Sequence, residues 1–169
     1  MRVVFQTYPY RFGDQVLDHK YSVKKEIEEV LQEPPLDIPT LSRGHLNKIL
    51  EERFAAKGGW EPQPRVFGNL DDPGAKMDFL KDRVGIEVQF GHASFIGIDL
   101  LKFQVASYSA EEKIDLGVYI VTTRRFQQEM KKAGQTWEGS LTFEKVKAYL
   151  PHFRSAIQVP IQVYGLDIP

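Results

Sequence analysis

The chain has 169 residues, with 22 Lys and Arg against 23 Asp and Glu and a net charge of −1. Its 42% hydrophobic and 27% charged residues suit one globular domain, residues 1–169, large enough to bury a core without staples. The near-neutral balance argues against a nonspecific, strongly basic nucleic-acid binder, while the lack of cysteine excludes disulfides and thiolate metal sites.

In chain order, "RVVFQTY" (2–8) reads as a short strand. "SVKKEIEEVLQE" (22–33) places Val23, Ile27, Val30 and Leu31 at helical spacing. "PPLDIP" (34–39) breaks that helix, because proline fixes φ and removes donors. A second helix starts at the N-cap candidate Ser42, carries Leu46, Ile49, Leu50 and Phe54 on one face, and ends at Gly58-Gly59.

Residues 59–76 are rich in turn formers, with one short strand expected near Arg65 to Phe67. "MDFL" and "VGIEVQF", separated by "KDR", predict a hairpin. The spacing then predicts a strongly apolar helix over 94–113, with Phe95, Ile98, Leu101, Val105 and Tyr108 on one face and Leu100 widening it. "IDLGVYIVTT" (114–123) is a near-continuous apolar run, typical of a strand buried on both faces. Two helices, "RRFQQEMKKAG" and "SLTFEKVKAYL", precede an alternating strand over 155–166, whose Pro160 predicts an edge position. The order gives an α/β domain: a mixed central sheet flanked by helices. No signal-peptide pattern and no run of roughly 18 apolar residues is present, so a cytoplasmic location is expected.

The chemistry concentrates in "MDFLKDRVGIEVQFG" (77–91). Strand side chains alternate, so Glu87 and Gln89 face one way and Ile86, Val88 and Phe90 the other. The hairpin turn can bring Asp78 beside Glu87, and two close carboxylates repel unless a cation sits between them. Mg²⁺ takes hard oxygen ligands, including one or two carboxylates, and the Val88 carbonyl is a further candidate ligand. Spacing alone leaves open a solvated hairpin with unrelated charges.

An acidic residue, a short gap and an E-x-K-like tripeptide on a strand is the pattern of the PD-(D/E)xK nucleases. "DFLKDRVGIEVQFG", continued by "SF…DL" and "KIDLGV", closely resembles the BglII/BstYI family of type II restriction endonucleases, in which glutamine replaces the catalytic lysine, as at Gln89. The likeness runs from "LNKILEERFAAKGGW" (46–60) to "VPIQVYGL" (159–166). It implies a restriction-endonuclease-like fold, with Asp78 and Glu87 binding Mg²⁺ and Gln89 orienting the attacking water or the scissile phosphate. A polar residue from the early helix joins the site in that family; Glu52 and Asn47 are the candidates. A neutral amide cannot serve as general base.

The resemblance also places His92 and Ser94, just after the catalytic strand, near DNA, and Lys102 against DNA or a dimer partner. Arg124, Arg125, Lys131 and Lys132 form the densest basic cluster, and Gln135, Thr136 and Ser140 follow it with donors and acceptors suited to base readout. A solvated helix face explains the basic run equally well. Palindromic sites call for two-fold symmetric dimers, for which the apolar helix at 94–109 is the candidate interface. Family members cut six-base palindromes with a GATC centre. This chain is shorter than the enzymes it resembles and compact before Asp78, which puts its specificity in question. The expected activity is a homodimeric, Mg²⁺-dependent type II endonuclease acting on double-stranded DNA. Two alternatives stay open: a repair-type nuclease with little sequence preference, and an inactive DNA-binding homologue.

Overall fold

The computed structural model describes residues 2–169. Its elements are β1 (Val4–Tyr10), α1 (Gly13–His19), α2 (Tyr21–Gln32), α3 (Arg43–Lys57), β2 (Glu61–Pro62), β3 (Phe79–Lys81), β4 (Val84–Val88), α4 (Ile96–Tyr108), β5 (Leu116–Thr122), α5 (Arg124–Lys132), α6 (Phe143–Tyr149) and β6 (Ile161–Asp167). One sheet of order β1-β6-β5-β4-β3-β2 joins all six strands. β4, β5 and β6 run parallel, and the outer pairings are antiparallel. Long crossovers make the parallel pairings possible: α4 links β4 to β5, while α5 and α6 link β5 to β6.

Each face of the sheet has its own core. On one side Val84, Ile86, Val118 and Ile120 meet Ile27 and Leu31 of α2, Leu46, Leu50 and Phe54 of α3, and Phe126 and Met130 of α5. On the other, Tyr119, Val121, Ile161 and Val163 meet Leu100 and Phe103 of α4 and Phe143 and Val146 of α6. The expected mixed sheet flanked by helices is thus the observed fold.

Local signals account for most boundaries. Ser42 caps α3, its hydroxyl accepting from the His45 N–H at 3.2 Å. Gly58, with φ of 75°, ends that helix in a conformation that suits glycine. The β3–β4 turn uses Asp82 and Arg83 at φ of 47° and 64°, both left-handed, as a two-residue hairpin of matching twist requires.

Several expectations need correction. α1 was not foreseen, being only seven residues long with little periodicity to read. The strand expected at Arg65 to Phe67 is reduced to one bridge between Arg65 and Lys76, while the short β2 lies earlier. The last strand starts at Ile161, not 155, and is interior, paired with both β1 and β5. Pro160 does not force an edge, because it precedes the strand; its carbonyl accepts from the Gly117 N–H at 3.0 Å.

The largest surprise is α4. Most of its expected apolar face points outward: Phe95, just before the helix, is 49% exposed, Ile98 39%, Leu101 47% and Tyr108 60%, while Val105 is half-buried against the core and Leu100 is buried. The inner face packs Ile96, Leu100, Phe103 and Ala106, and buries Asp99 and Lys102 among them. Phe103 seats the helix on β5 over Gly117, where an added Cβ would come within 2.7 Å of the ring. This close approach holds Asp99 and Lys102 against the sheet.

Candidate active site on the β3–β4 hairpin

The tight Asp82–Arg83 turn brings Asp78, immediately before β3, alongside the far end of β4. The Asp78 N–H donates to the Ile86 carbonyl at 3.0 Å. Its Oδ2 accepts from the Val88 N–H at 2.7 Å, and Oδ1 accepts from Gln63 Nε2 at 3.3 Å. Glu87 lies on the face of β4 opposite Ile86 and Val88 and is 3% exposed. Gln89 is held at both ends of its amide: Nε2 donates to Asp99 Oδ2 at 2.7 Å, and Oε1 accepts from the Gly91 N–H at 2.9 Å. One N–H and one lone pair of the amide remain uncommitted to these contacts.

The helix completes this cluster. Lys102 Nζ lies 2.6 Å from Glu87 Oε1 and 3.3 Å from Asp99 Oδ1, and donates to the Lys76 carbonyl at 3.1 Å. Its ion pair with Glu87 is the one polar contact to the buried Oε1 among the described residues. The Tyr119 hydroxyl donates to Asp99 Oδ2 at 2.7 Å. Lys102 was expected to reach DNA or a partner subunit; instead it turns inward, because two buried carboxylates offer it a charge-neutralising site.

Three carboxylates here share one ammonium. Burial pushes Glu87 well above the ordinary carboxylate range, and the neighbouring charges of Asp78 and Asp99 add to it despite Lys102. Asp78 is also raised, first by burial, with the Val88 N–H pulling the other way. Burial alone would lower Lys102, yet Glu87 and Asp99 outweigh it and the ammonium is held more firmly protonated. Tyr119 is driven well up by burial and by Asp99.

From α3, Asn47 and Glu51 line a cleft with Asp78 and Val88, whereas Glu52 does not. Asn47 and Glu51 are four residues apart and share a helical face. Glu52 is rotated onto the neighbouring groove beside His45 and Arg53, with its carboxylate 3.9 Å from Lys48. The i+4 spacing from Asn47 was the signal that would have selected Glu51. Asp99, Tyr119 and Gln63 were also missed, since each reaches the site only through tertiary packing.

The residues expected to face DNA divide into three groups. His92 and Ser94 are exposed and bonded to each other, the Ser94 N–H donating to His92 Nδ1 at 3.1 Å. Ser140 forms a bridge with His92, so the two expected segments do converge. Yet Ser140 is buried and lies under Arg43, whose guanidinium reaches its hydroxyl at 3.4 Å. Thr136 is exposed, and Gln135 donates to the Pro39 carbonyl at 3.3 Å. Arg124 is exposed, but Arg125 forks onto Asp167 through Nε at 3.0 Å and Nη2 at 2.9 Å.

The family profile described as restriction endonuclease BglII/BglIII matches residues 5–166 of this chain. The chain belongs to that family. It is therefore a type II restriction endonuclease, a site-specific deoxyribonuclease. Among solved structures it is similar to that of the restriction endonuclease BglII complexed with a DNA 16-mer. The two share 20% identity at a TM-score of 0.73, covering 100% of this chain and 78% of the other. At that identity the likeness speaks for the BglII fold. No curated protein matches.

Proposed function

We propose that this BglII/BglIII-family chain hydrolyses double-stranded DNA at a short palindrome as a Mg²⁺-dependent homodimer, with GATC-containing duplexes the first substrates to try. The observation that carries this reading is the uncompensated charge at the hairpin. Asp78, Glu87 and Asp99 outnumber Lys102, the one ammonium in ion-pair contact with Glu87 and Asp99 among the described residues. A hard oxygen set with surplus negative charge fits a divalent cation. Asp78, Glu87 and the Val88 carbonyl would hold it. Among the described residues no three His, Cys, Asp or Glu side chains cluster as a ready metal site. Solvent or phosphate oxygens would therefore complete the shell, as is usual for Mg²⁺. The chemistry such a cation supplies is Lewis-acid stabilisation of the phosphate and a more acidic attacking water.

The chain's own groups would position the reactants. Gln89, with its amide fixed by Asp99 and Gly91, offers its remaining N–H to a phosphate oxygen or its remaining lone pair to water. It takes no proton. Asn47 and Glu51 stand on the opposite wall of the cleft from β4 and would bound the approach to Asp78.

The solvent-facing stripe of Phe95, Ile98, Leu101 and Tyr108 supports the homodimer, since exposed apolar patches of this kind mark interaction surfaces. Of the sequence-predicted DNA contacts, His92, Ser94, Thr136 and Arg124 are exposed and free of ion pairs among the described residues, whereas the exposed Arg125 is paired with Asp167. The matched family is one of restriction endonucleases, and the similar solved structure is a restriction endonuclease complexed with DNA.

The test is digestion of unmethylated plasmid with Mg²⁺, beside an EDTA control and the Asp78→Asn variant, followed by sequencing of the ends. Discrete fragments from the wild type alone are expected. A smear would replace the site-specific reading by the repair-type one. Intact DNA from a protein that still shifts DNA in a gel would leave only a binding protein. Sedimentation of Leu101→Lys beside the wild type tests the dimer, the wild type alone running at twice the chain mass.

A further inference from the structure

Lys102 has no counterpart on the catalytic strand. The E-x-Q sequence leaves β4 without a cation, and the nearest ammonium arrives from the next helix, one turn beyond Asp99. Three contacts fix it: Glu87 Oε1 at 2.6 Å, Asp99 Oδ1 at 3.3 Å and the Lys76 carbonyl at 3.1 Å. Its side chain is 7% exposed, so this is no surface lysine resting on a convenient carboxylate. On the same helix Phe103 packs closely over Gly117 of β5, next to this cluster in the chain.

We infer that Lys102 is a built-in cation of the active site, which competes with the divalent metal for Glu87 Oε1 and so sets the metal concentration the enzyme requires. This rests on the reading of Glu87 as a metal-binding group. The argument is electrostatic. A unit positive charge within about 3 Å of the oxygen that a divalent cation would use opposes that cation strongly at low local dielectric. The two positive groups cannot both sit against Oε1. When the divalent ion takes Glu87, the Lys102 ammonium must shift towards Asp99 Oδ1 and the Lys76 carbonyl, which already hold it. Lys102 also offsets part of the repulsion among Asp78, Glu87 and Asp99, so the site can assemble before any metal arrives. Lys102 is thus a positioning residue: it acts through Glu87 and Asp99, not by touching the substrate.

The experiment uses the full chain and Mn²⁺ as the probe, with binding followed by titration calorimetry for the wild type, Lys102→Met and Glu87→Gln. The expected result is binding to the wild type that Glu87→Gln abolishes, and affinity about tenfold tighter in Lys102→Met. Unchanged or weaker affinity in Lys102→Met, with Glu87-dependent binding intact, overturns the inference while leaving the metal reading standing. Absence of Glu87-dependent binding in both the wild type and Lys102→Met overturns the metal reading, and the inference falls with it. A crystal structure of the wild type with Mn²⁺ decides the matter without relying on the variant folding. Lys102 Nζ more than 4 Å from Oε1, with Mn²⁺ on that oxygen, is the expected outcome. Nζ still in ion-pair contact with Oε1 while Mn²⁺ sits on Glu87 overturns the inference.

Discussion

Two buried carboxylates on the same sheet meet opposite fates. Asp167, at the end of β6, is 1% exposed and surrounded by donors: Gln6 Nε2 at 2.7 Å, Thr123 Oγ1 at 2.8 Å, the Ile168 N–H at 2.9 Å and both arms of Arg125. Burial alone would raise its pKa, but these partners hold it down at about 2. Glu87, nearly as buried, has one ammonium, shared with Asp99, and two like charges beside it, and is pushed well up. The same physics applies to both. A carboxylate that holds the fold together is fully supplied by the chain itself. One that is left short of positive charge is a candidate for chemistry with something from outside.

Substitution separates the two most sharply. Glu87→Gln is expected to reduce DNA cleavage by at least about a hundredfold to a thousandfold, the scale seen when a single group that stabilises transition-state charge is removed. Its thermal midpoint at neutral pH should change little, because glutamine removes the ionisation cost of the raised Glu87 carboxylate while taking one of two carboxylate partners from the buried Lys102 ammonium. Plasmid digestion and a melting curve check both halves; a large loss of stability would show that Glu87 supports the fold instead. Asp167→Ala should do the reverse. It orphans several buried donors and costs on the order of 3 kcal/mol by urea unfolding, with cleavage in the cold retained.

Acid sharpens the same contrast by a smaller amount. The folded pKa of Asp167 is depressed, so its contribution is fully present above the unfolded value near 4 and is lost as pH falls towards about 2. Part of the surrounding charge is solvated, which limits the contribution to about 1–2 kcal/mol. Urea unfolding at pH 5 and pH 2.5 should reveal that loss in the wild type and not in Asp167→Ala.

The hairpin was legible in the sequence because its information is local. A two-residue turn and a period of two are enough to set Asp78, Glu87 and Gln89 in order. The inner wall of the site was not, because Asp99 passed unread within a strongly apolar helix and Lys102 was assigned to DNA or a dimer partner. That helix carries apolar residues on more than one face, so periodicity cannot say which stripe meets the core. Its exposed stripe of Phe95, Ile98, Leu101 and Tyr108 was the more regular of the two, and the buried face carried the charges. Glu52 failed for a related reason: one residue along a helix turns a side chain by about 100°, from the cleft of Asp78 to the neighbouring groove. Pro160 misled because its effect depends on whether it falls inside the ladder or one residue before it.

The smallest expected effect concerns the neighbours Arg124 and Arg125, which composition alone cannot tell apart. Arg124 opens α5 with an exposed side chain, and its guanidinium forms no ion pair among the described residues. Arg125 is committed to Asp167 and also donates to the Ile168 carbonyl. If the basic run tracks a phosphate backbone, Arg124→Ala should weaken DNA binding severalfold and lower the salt slope of log K by about one, the signature of one lost phosphate contact. Arg125→Ala should leave that slope unchanged and lower the melting temperature, because its charge is already spent within the fold. Equal changes in slope from both variants would mean that the fork on Asp167 opens when DNA binds. The boundary between structural and functional charge would then move during binding, and Asp167 would lose two of its donors in the complex.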